Sequence, residues 1–219
     1  MSRKRVAILI SGRGTNMAAL IEAAADPEFP AEIALVLSNR PDAKGLELAR
    51  ARGIETKIID HKTYGSDRAA FDTALQKELE HCSIDIVCLA GFMRLLTTDF
   101  VESWHGRMIN VHPALLPSFK GLDTHARALA AGVKVHGATV HFVVPEMDSG
   151  PIIVQGAVAV HDDENEAVLA ARVLAVEHRI YPFALKLLAE DRLRIVGGRC
   201  TADGASAPDT VFMAPAPSA

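Results

Sequence analysis

Much that would place a chain in a specialised class is missing from these 219 residues. Positive charge is not in excess: 23 lysines and arginines against 27 aspartates and glutamates leave a formal charge of −4. Such a balance offers no broad attraction to polyanions and argues against a general nucleic-acid binder. Cysteine is scarce. Cys82, Cys88 and Cys200 are odd in number and show neither a C-x-x-C pair nor zinc-type spacing, so they read as free thiols, two of them in or near core elements. The basic start Met1-Ser2-Arg3-Lys4-Arg5 is followed only by the short apolar run Val6–Ile10. That run is too short for a signal core or a membrane span, so the expectation is a cytoplasmic protein with no membrane partner. Neither H-E-x-x-H nor a carboxylate-rich loop is present, and His136 and His141, an odd number apart, would face opposite sides of a strand. No metal is expected, and there is no internal repeat.

What is present is ordinary globular composition, 49% apolar and 23% charged, in a length that suits one domain. Short β-branched or apolar runs alternate with segments of helical period, the pattern of a mostly parallel central sheet with helices on both faces. The predicted strands are Val6–Ser11, Ile33–Ser38, Thr56–Asp60, Ile84–Ala90 and Met108–Val111. Between them Phe71, Leu75, Leu79 and Cys82 recur at helical steps, with Asp72, Lys77, Glu78 and Glu80 expected to point elsewhere. Val135–Val144 and Pro151–Val160 read as two more strands joined without a helix, across the turn-rich stretch 145–150. In the first of them Gly137, Thr139 and His141 share one face and Val140, Phe142 and Val144 the other, one face being core and the other available to a site. A long helix follows, opened by Asp163-x-x-Glu166 as a capping box, with Leu169, Val173, Val176, Ile180, Phe183 and Leu187 on its apolar stripe and a kink or restart at Pro182. The α/β domain is drawn as residues 1–200, with halves of about 1–105 and 106–200. Residues 201–219, rich in Ala, Pro, Ser and Asp, are expected to be a weakly structured tail.

Three strings carry chemistry. Ser11-Gly12-Arg13-Gly14-Thr15-Asn16 lies between the first strand and a helix starting near Met17, where glycines allow a tight turn and a helix start offers unpaired N–H groups to a phosphate. It lacks the Lys-Ser/Thr of a nucleotide P-loop and the third glycine of a dinucleotide fingerprint. The same string also reads as a plain βα turn with Thr15 or Asn16 as N-cap. In Met108-Ile109-Asn110-Val111-His112-Pro113, extended backbone puts Asn110 and His112 on one face at the C-terminal end of a strand, where an amide and an imidazole can meet one reacting atom. In Glu146-Met147-Asp148-Ser149-Gly150-Pro151, Asp148 offers a carboxylate that would orient an imidazole and favour its charged form, or else simply an Asx turn.

Taken together, ISGRGTN at the first turn, LAGFMRLL at Leu89–Leu96, INVHPALLP at Ile109–Pro117, HGATVHFV at His136–Val143, MDSGPII at Met147–Ile153 and EHRIYP at Glu177–Pro182 resemble the phosphoribosylglycinamide formyltransferases of purine synthesis. Their order and spacing extend through Gly198. The resemblance implies a Rossmann-like formyltransferase fold, an enzyme with glycinamide ribonucleotide and 10-formyltetrahydrofolate as its partners, and a monomer or homodimer. It further implies that Gly14, Thr15 and Asn16 hold the substrate phosphate and that Glu177 lies at its ribose or glycinamide. Arg68, Met93, Arg94, Leu95, Leu96, Asn110, Val144 and Asp148 would contact the folate, and Asn110, His112 and Asp148 would be catalytic. One departure is Asp123 in Gly121-Leu122-Asp123-Thr124-His125, not the residue expected in that loop. The competing expectations are a formyltetrahydrofolate hydrolase, which usually adds an N-terminal regulatory domain, a methionyl-tRNA formyltransferase, which normally adds an RNA-binding domain, and a non-catalytic folate- or nucleotide-binding module.

Overall fold

The computed structural model describes residues 3–205 and 212–214. Strands β1 (Lys4–Ile10), β2 (Ala31–Ser38), β3 (Glu55–Ile58), β4 (Ile86–Leu89), β5 (Met108–His112), β6 (Val135–Phe142) and β7 (Ile152–Ala159) form one sheet in the order β3-β2-β1-β4-β5-β6-β7. The first five are parallel, whereas β6 runs antiparallel to both β5 and β7. The helices are α1 (Thr15–Ala24), α2 (Gly45–Ala51), α3 (Arg68–His81), α4 (Thr98–Ser103), α5 (Thr124–Ala130) and α6 (Glu166–Ala189), with one 3₁₀ turn at His61–Tyr64. No helix among the described residues is long and apolar enough to cross a membrane.

Strand β1 shows why its sequence is apolar without alternation. Val6, Ile8 and Ile10 point into a core closed by α1, α2 and α6, while Ala7 and Leu9 point into a second core closed by α3 and α4. A strand covered on both faces has no polar side to display. The amphipathic reading of α3 holds: Phe71, Leu75 and Leu79 are fully buried. Asp72 does not point away, however; it is buried because its Oδ2 accepts the N–H of Thr97, 2.6 Å away, at the start of α4.

Other local expectations are corrected by packing. Strand β3 stops at Ile58 because Asp60 turns its carboxylate onto the N–H of Lys62 and caps the 3₁₀ turn. Strand β4 is shorter at both ends than Ile84–Ala90. The cap of α6 is Asn165, which accepts from the N–H of Val168, rather than an Asp163–Glu166 box. The helix continues through Pro182 without a restart. Phe183 leaves the apolar stripe and is 47% exposed, while Glu177 and Tyr181 occupy the buried side. The boundary drawn at residue 200 cuts a hairpin, β8 (Leu193–Val196) paired antiparallel with β9 (Arg199–Ala202), whose Leu193, Ile195 and Cys200 pack against the larger core. Thr201 and Ala202 thus belong to a strand; tail residues 206–211 and 215–219 lie outside the described residues.

The order of the strands reverses between β1 and β4, since β2 and β3 lie to one side and β5 to the other. A crevice at the carboxyl ends of strands at such a reversal is where open α/β sheets bind ligands.

Candidate active site

A cleft of about 520 Å³ opens at that reversal. Its lining draws on the start of α1 (Asn16), the segment after β4 (Gly91–Leu96), the end of β5 (Asn110, His112), the loop before α5 (Gly121–Thr124), β6 (His141), the β6–β7 loop (Val144, Met147, Asp148) and α6 (Glu177). Asn110 and His112 enter together, as their i, i+2 spacing on a strand requires.

His112 is buried, with Nδ1 3.4 Å from Oδ2 of Asp148 and Nε2 3.0 Å from the carbonyl oxygen of Phe119. Both ring nitrogens face oxygen atoms, and a carbonyl oxygen only accepts, so Nε2 carries the proton shared with Phe119. Asp148 stands at a left-handed backbone position (φ 51), which the short side chain of aspartate tolerates better than most. Its Oδ2 also accepts the N–H of Gly121 at 2.8 Å, and Lys120 Nζ donates to Ser149 Oγ at 2.5 Å. Two loops distant in sequence are thereby fastened across the imidazole.

The turn after β5 is held from behind. Thr139 Oγ1 donates to Ala114 O at 2.7 Å and accepts the N–H of Leu116 at 3.0 Å, and Gln155 Nε2 donates to Leu116 O at 2.9 Å. Of the β6 face that carries Gly137, Thr139 and His141, Thr139 thus supports the turn and His141 alone reaches the cleft. Gly137 is packed against β7, where a Cβ would fall 2.0 Å from the carbonyl oxygen of Gly156. Val140 and Phe142, on the other face, lie in the core.

At the other end of the cleft, α1 begins at Thr15 and its N-cap is Gly14, at φ 73, with no side chain satisfying the first-turn N–H groups. Neither Thr15 nor Asn16 is the cap. Asn16 instead donates through Nδ2 to Glu177 Oε2 at 2.5 Å, and burial pushes the Glu177 carboxyl up against the opposing effect of that bond. Ser11 Oγ donates to Asn39 Oδ1 (2.6 Å) and accepts the N–H of Met93 (2.7 Å), which ties the first turn to the segment after β4. There Met93 and Leu95 are 70% and 60% exposed, and Arg94 places its guanidinium 4.5 Å from the Phe71 ring centre. Nε and Nη2 of Arg94 are buried without a hydrogen-bond partner among the described residues.

Of the residues singled out in the sequence, Asn16, Met93, Arg94, Leu95, Leu96, Asn110, His112, Val144, Asp148 and Glu177 converge on this cleft. Gly14 and Thr15 form the turn beside it, outside its lining. Arg68, exposed at the start of α3, also lies outside the lining. Asp123 adopts φ 55 at the N-cap of α5 without a side-chain cap bond and lines the cleft. His141, Thr139 and Gln155 carried no assigned role; the only sequence signal for the first two was their shared face on a strand.

Comparison with known proteins places the chain in a family. The family model described as formyl transferase matches residues 4–185. The chain is 50% identical over 193 residues to the trifunctional purine biosynthetic protein adenosine-3 of Bos taurus, covering 88% of this chain and 19% of that protein. It thus spans about a fifth of that much longer relative. It is 40% identical over 209 residues to phosphoribosylglycinamide formyltransferase of Escherichia coli (strain K12), covering 95% and 98% of the two chains. The crystal structure of glycinamide ribonucleotide transformylase 1 from Symbiobacterium toebii superposes with a TM-score of 0.88 at 45% identity, over 91% of this chain and 94% of that one. With a family match across most of its length, the chain belongs to the formyl transferase family.

Proposed function

We propose that this protein transfers the formyl group of 10-formyltetrahydrofolate to the amine of glycinamide ribonucleotide, giving formylglycinamide ribonucleotide and tetrahydrofolate in purine synthesis. The observation that carries the reading is the convergence of Asn110 and His112, from the end of β5, with Asp148, from the β6–β7 loop, on one cleft. The amine attacks the formyl carbon, and the carbonyl oxygen becomes negative in a tetrahedral centre. Nδ2–H of Asn110 and an N–H of His112 donate to that oxygen, and Asp148 holds the ring in place. As the carbon–nitrogen bond to the folate breaks, the proton of the attacking amine passes to the leaving folate nitrogen beside the Asp148 carboxylate. Donors placed for a developing oxyanion contribute about 3 kcal/mol each to lowering the barrier. Because His112 already donates from Nε2 to Phe119 O, either that bond or the longer contact with Asp148 yields to the substrate oxygen during turnover.

The two ends of the cleft suit the two substrates. The uncapped start of α1 at Gly14, Thr15 and Asn16 offers backbone N–H groups and a positive dipole end to the ribonucleotide phosphate. Glu177, held by Asn16, would meet the ribose or glycinamide. Met93, Leu95, Leu96 and Val144 give apolar walls to the folate, and the unpartnered guanidinium nitrogens of Arg94 suit its carboxylate tail. Arg68, exposed and outside the lining, would meet only the part of the folate that leaves the cleft.

The test is an assay of purified protein with both substrates. Formation of formylglycinamide ribonucleotide is expected. Formate released without a formylated ribonucleotide would indicate a hydrolase, and no turnover of either kind would indicate a binding module.

A further inference from the structure

His141 sits in the cleft without a part in the chemistry above. It lies on β6 directly opposite Asn110 of β5 and is 2% exposed. Its Nδ1 is 2.8 Å from the carbonyl oxygen of Phe142. A carbonyl only accepts, so the ring proton is on Nδ1 and Nε2 presents a lone pair. That lone pair lies 3.2 Å from Nδ2 of Asn110, which carries only hydrogens, so the bond between them runs from Asn110 to His141. The groups facing the ring are Asn110, Asp148, whose Oδ1 is 3.8 Å from Nε2, and His112. Burial, the largest influence, pushes the imidazole of His141 down and outweighs the Asp148 carboxylate, so the ring stays neutral and keeps its acceptor at neutral pH.

An asparagine amide has two orientations of nearly the same shape, one presenting a donor and the other an acceptor. Only the first stabilises an oxyanion. Turning the Asn110 amide over would set Oδ1 against the Nε2 lone pair, two acceptors face to face. We propose that His141 is a positioning residue for the formyl transfer: its Nε2 lone pair holds one N–H of Asn110, so that the second N–H of the same nitrogen is aimed at the formyl oxygen. The donor is then fixed before charge develops, and no reorientation is required in the transition state. His141 acts through Asn110 and need not touch either substrate.

This role rests on the formyl-transfer reading, and three variants with one spectrum test it. His141→Phe keeps the ring volume and removes the acceptor; kcat should fall about 10- to 100-fold while KM for each substrate stays within about threefold. His141→Gln carries an oxygen to the place of Nε2 and should return kcat to within about fivefold of the parent. In an Asn110→Ala background, His141→Phe should change kcat by less than about twofold, since its route of action is already gone. In the folded parent, ¹⁵N NMR should show His141 protonated at Nδ1 and bare at Nε2. The role is overturned if His141→Phe keeps kcat within about threefold, if Gln is as poor as Phe, or if the cost of Phe is undiminished without Asn110. The opposite tautomer overturns it independently of how any variant folds. A parent that forms no formylated ribonucleotide refutes the reaction and the role with it, whereas the wrong tautomer in an active parent refutes the role alone.

Discussion

At the scale of single residues, His112 and Asp148 form the contact on which the proposed chemistry depends most. If they act mainly on the transition state, His112→Ala and Asp148→Asn should each lower kcat about 100- to 1000-fold and leave substrate KM values within a few-fold. Steady-state kinetics on both variants checks this, and turnover close to the parent would remove that residue from the mechanism. The glycines of the first turn separate structure from binding. A Cβ on Gly14 would meet the Cα of Gly45 at 3.0 Å at a left-handed φ of 73, whereas a Cβ on Gly12 would meet nothing within 4 Å. Gly14→Ala should therefore lower stability by about 1–2 kcal/mol or more. Gly12→Ala should leave the melting temperature unchanged and raise KM for the ribonucleotide, not for the folate. Melting curves and KM values for the two variants distinguish a phosphate turn from a purely architectural one.

Among the elements, α6 does the most to connect the halves of the site. Glu177 on one of its turns reaches Asn16 of α1, and Tyr181 on the next sends its hydroxyl to the carbonyl oxygens of Leu89 and Ile109, at 2.9 and 3.2 Å. The helix is therefore pinned to the last residue of β4 and to Ile109 of β5, one residue before Asn110. Tyr181 is fully buried, so Tyr181→Phe removes a dry hydrogen bond without changing the packing volume. Urea unfolding should show a loss of about 1–2 kcal/mol. An unchanged midpoint would mean that the bond contributes nothing net to the junction. This element also shows what a hydrophobic stripe leaves out: Phe183 fits the helical period yet faces outward, and Glu177 breaks the period yet is buried, because the neighbours of α6 on one side are the polar start of α1 and on the other the apolar core.

For the molecule as a whole, pH bears on stability through buried His136 and the half-buried His125 packed against it. His136 packs edge-on to the rings of His125 and Phe119, with centres 5.4 and 5.7 Å away. Burial, helped by the neighbouring His125, pushes the His136 imidazole down to about 4, and burial lowers His125 too. The unfolded chain titrates its histidines near 6.5. Between about 4 and 6.5 the unfolded chain therefore binds a proton that folded His136 refuses. This contribution to stability is complete above about 6.5 and is lost as pH falls toward about 4. Melting temperature measured from pH 7.5 to 4.5 should decline across that window, and His136→Phe should flatten the decline. An equally steep decline in the variant would place the titrating group elsewhere.

What the sequence determined by itself was local. The period of β1 and α3, the glycine turn after β1 and the common face of Asn110 and His112 all follow from backbone geometry within a few residues, and local geometry is written in local pattern. Strand ends and caps were less legible, since Asp60 and Asn165 ended or opened elements by competing for single N–H groups. The β8–β9 hairpin escaped because four-residue strands with mixed polarity carry little period, and its stability comes from packing three apolar side chains on a distant core. Only the tertiary structure decided that Asn16 meets Glu177, 161 residues away, that Asp148 meets His112, and that His141 rather than its neighbours on β6 reaches Asn110. Those meetings depend on the order and direction in which strands pair, a sum over the whole chain that no short stretch of residues contains.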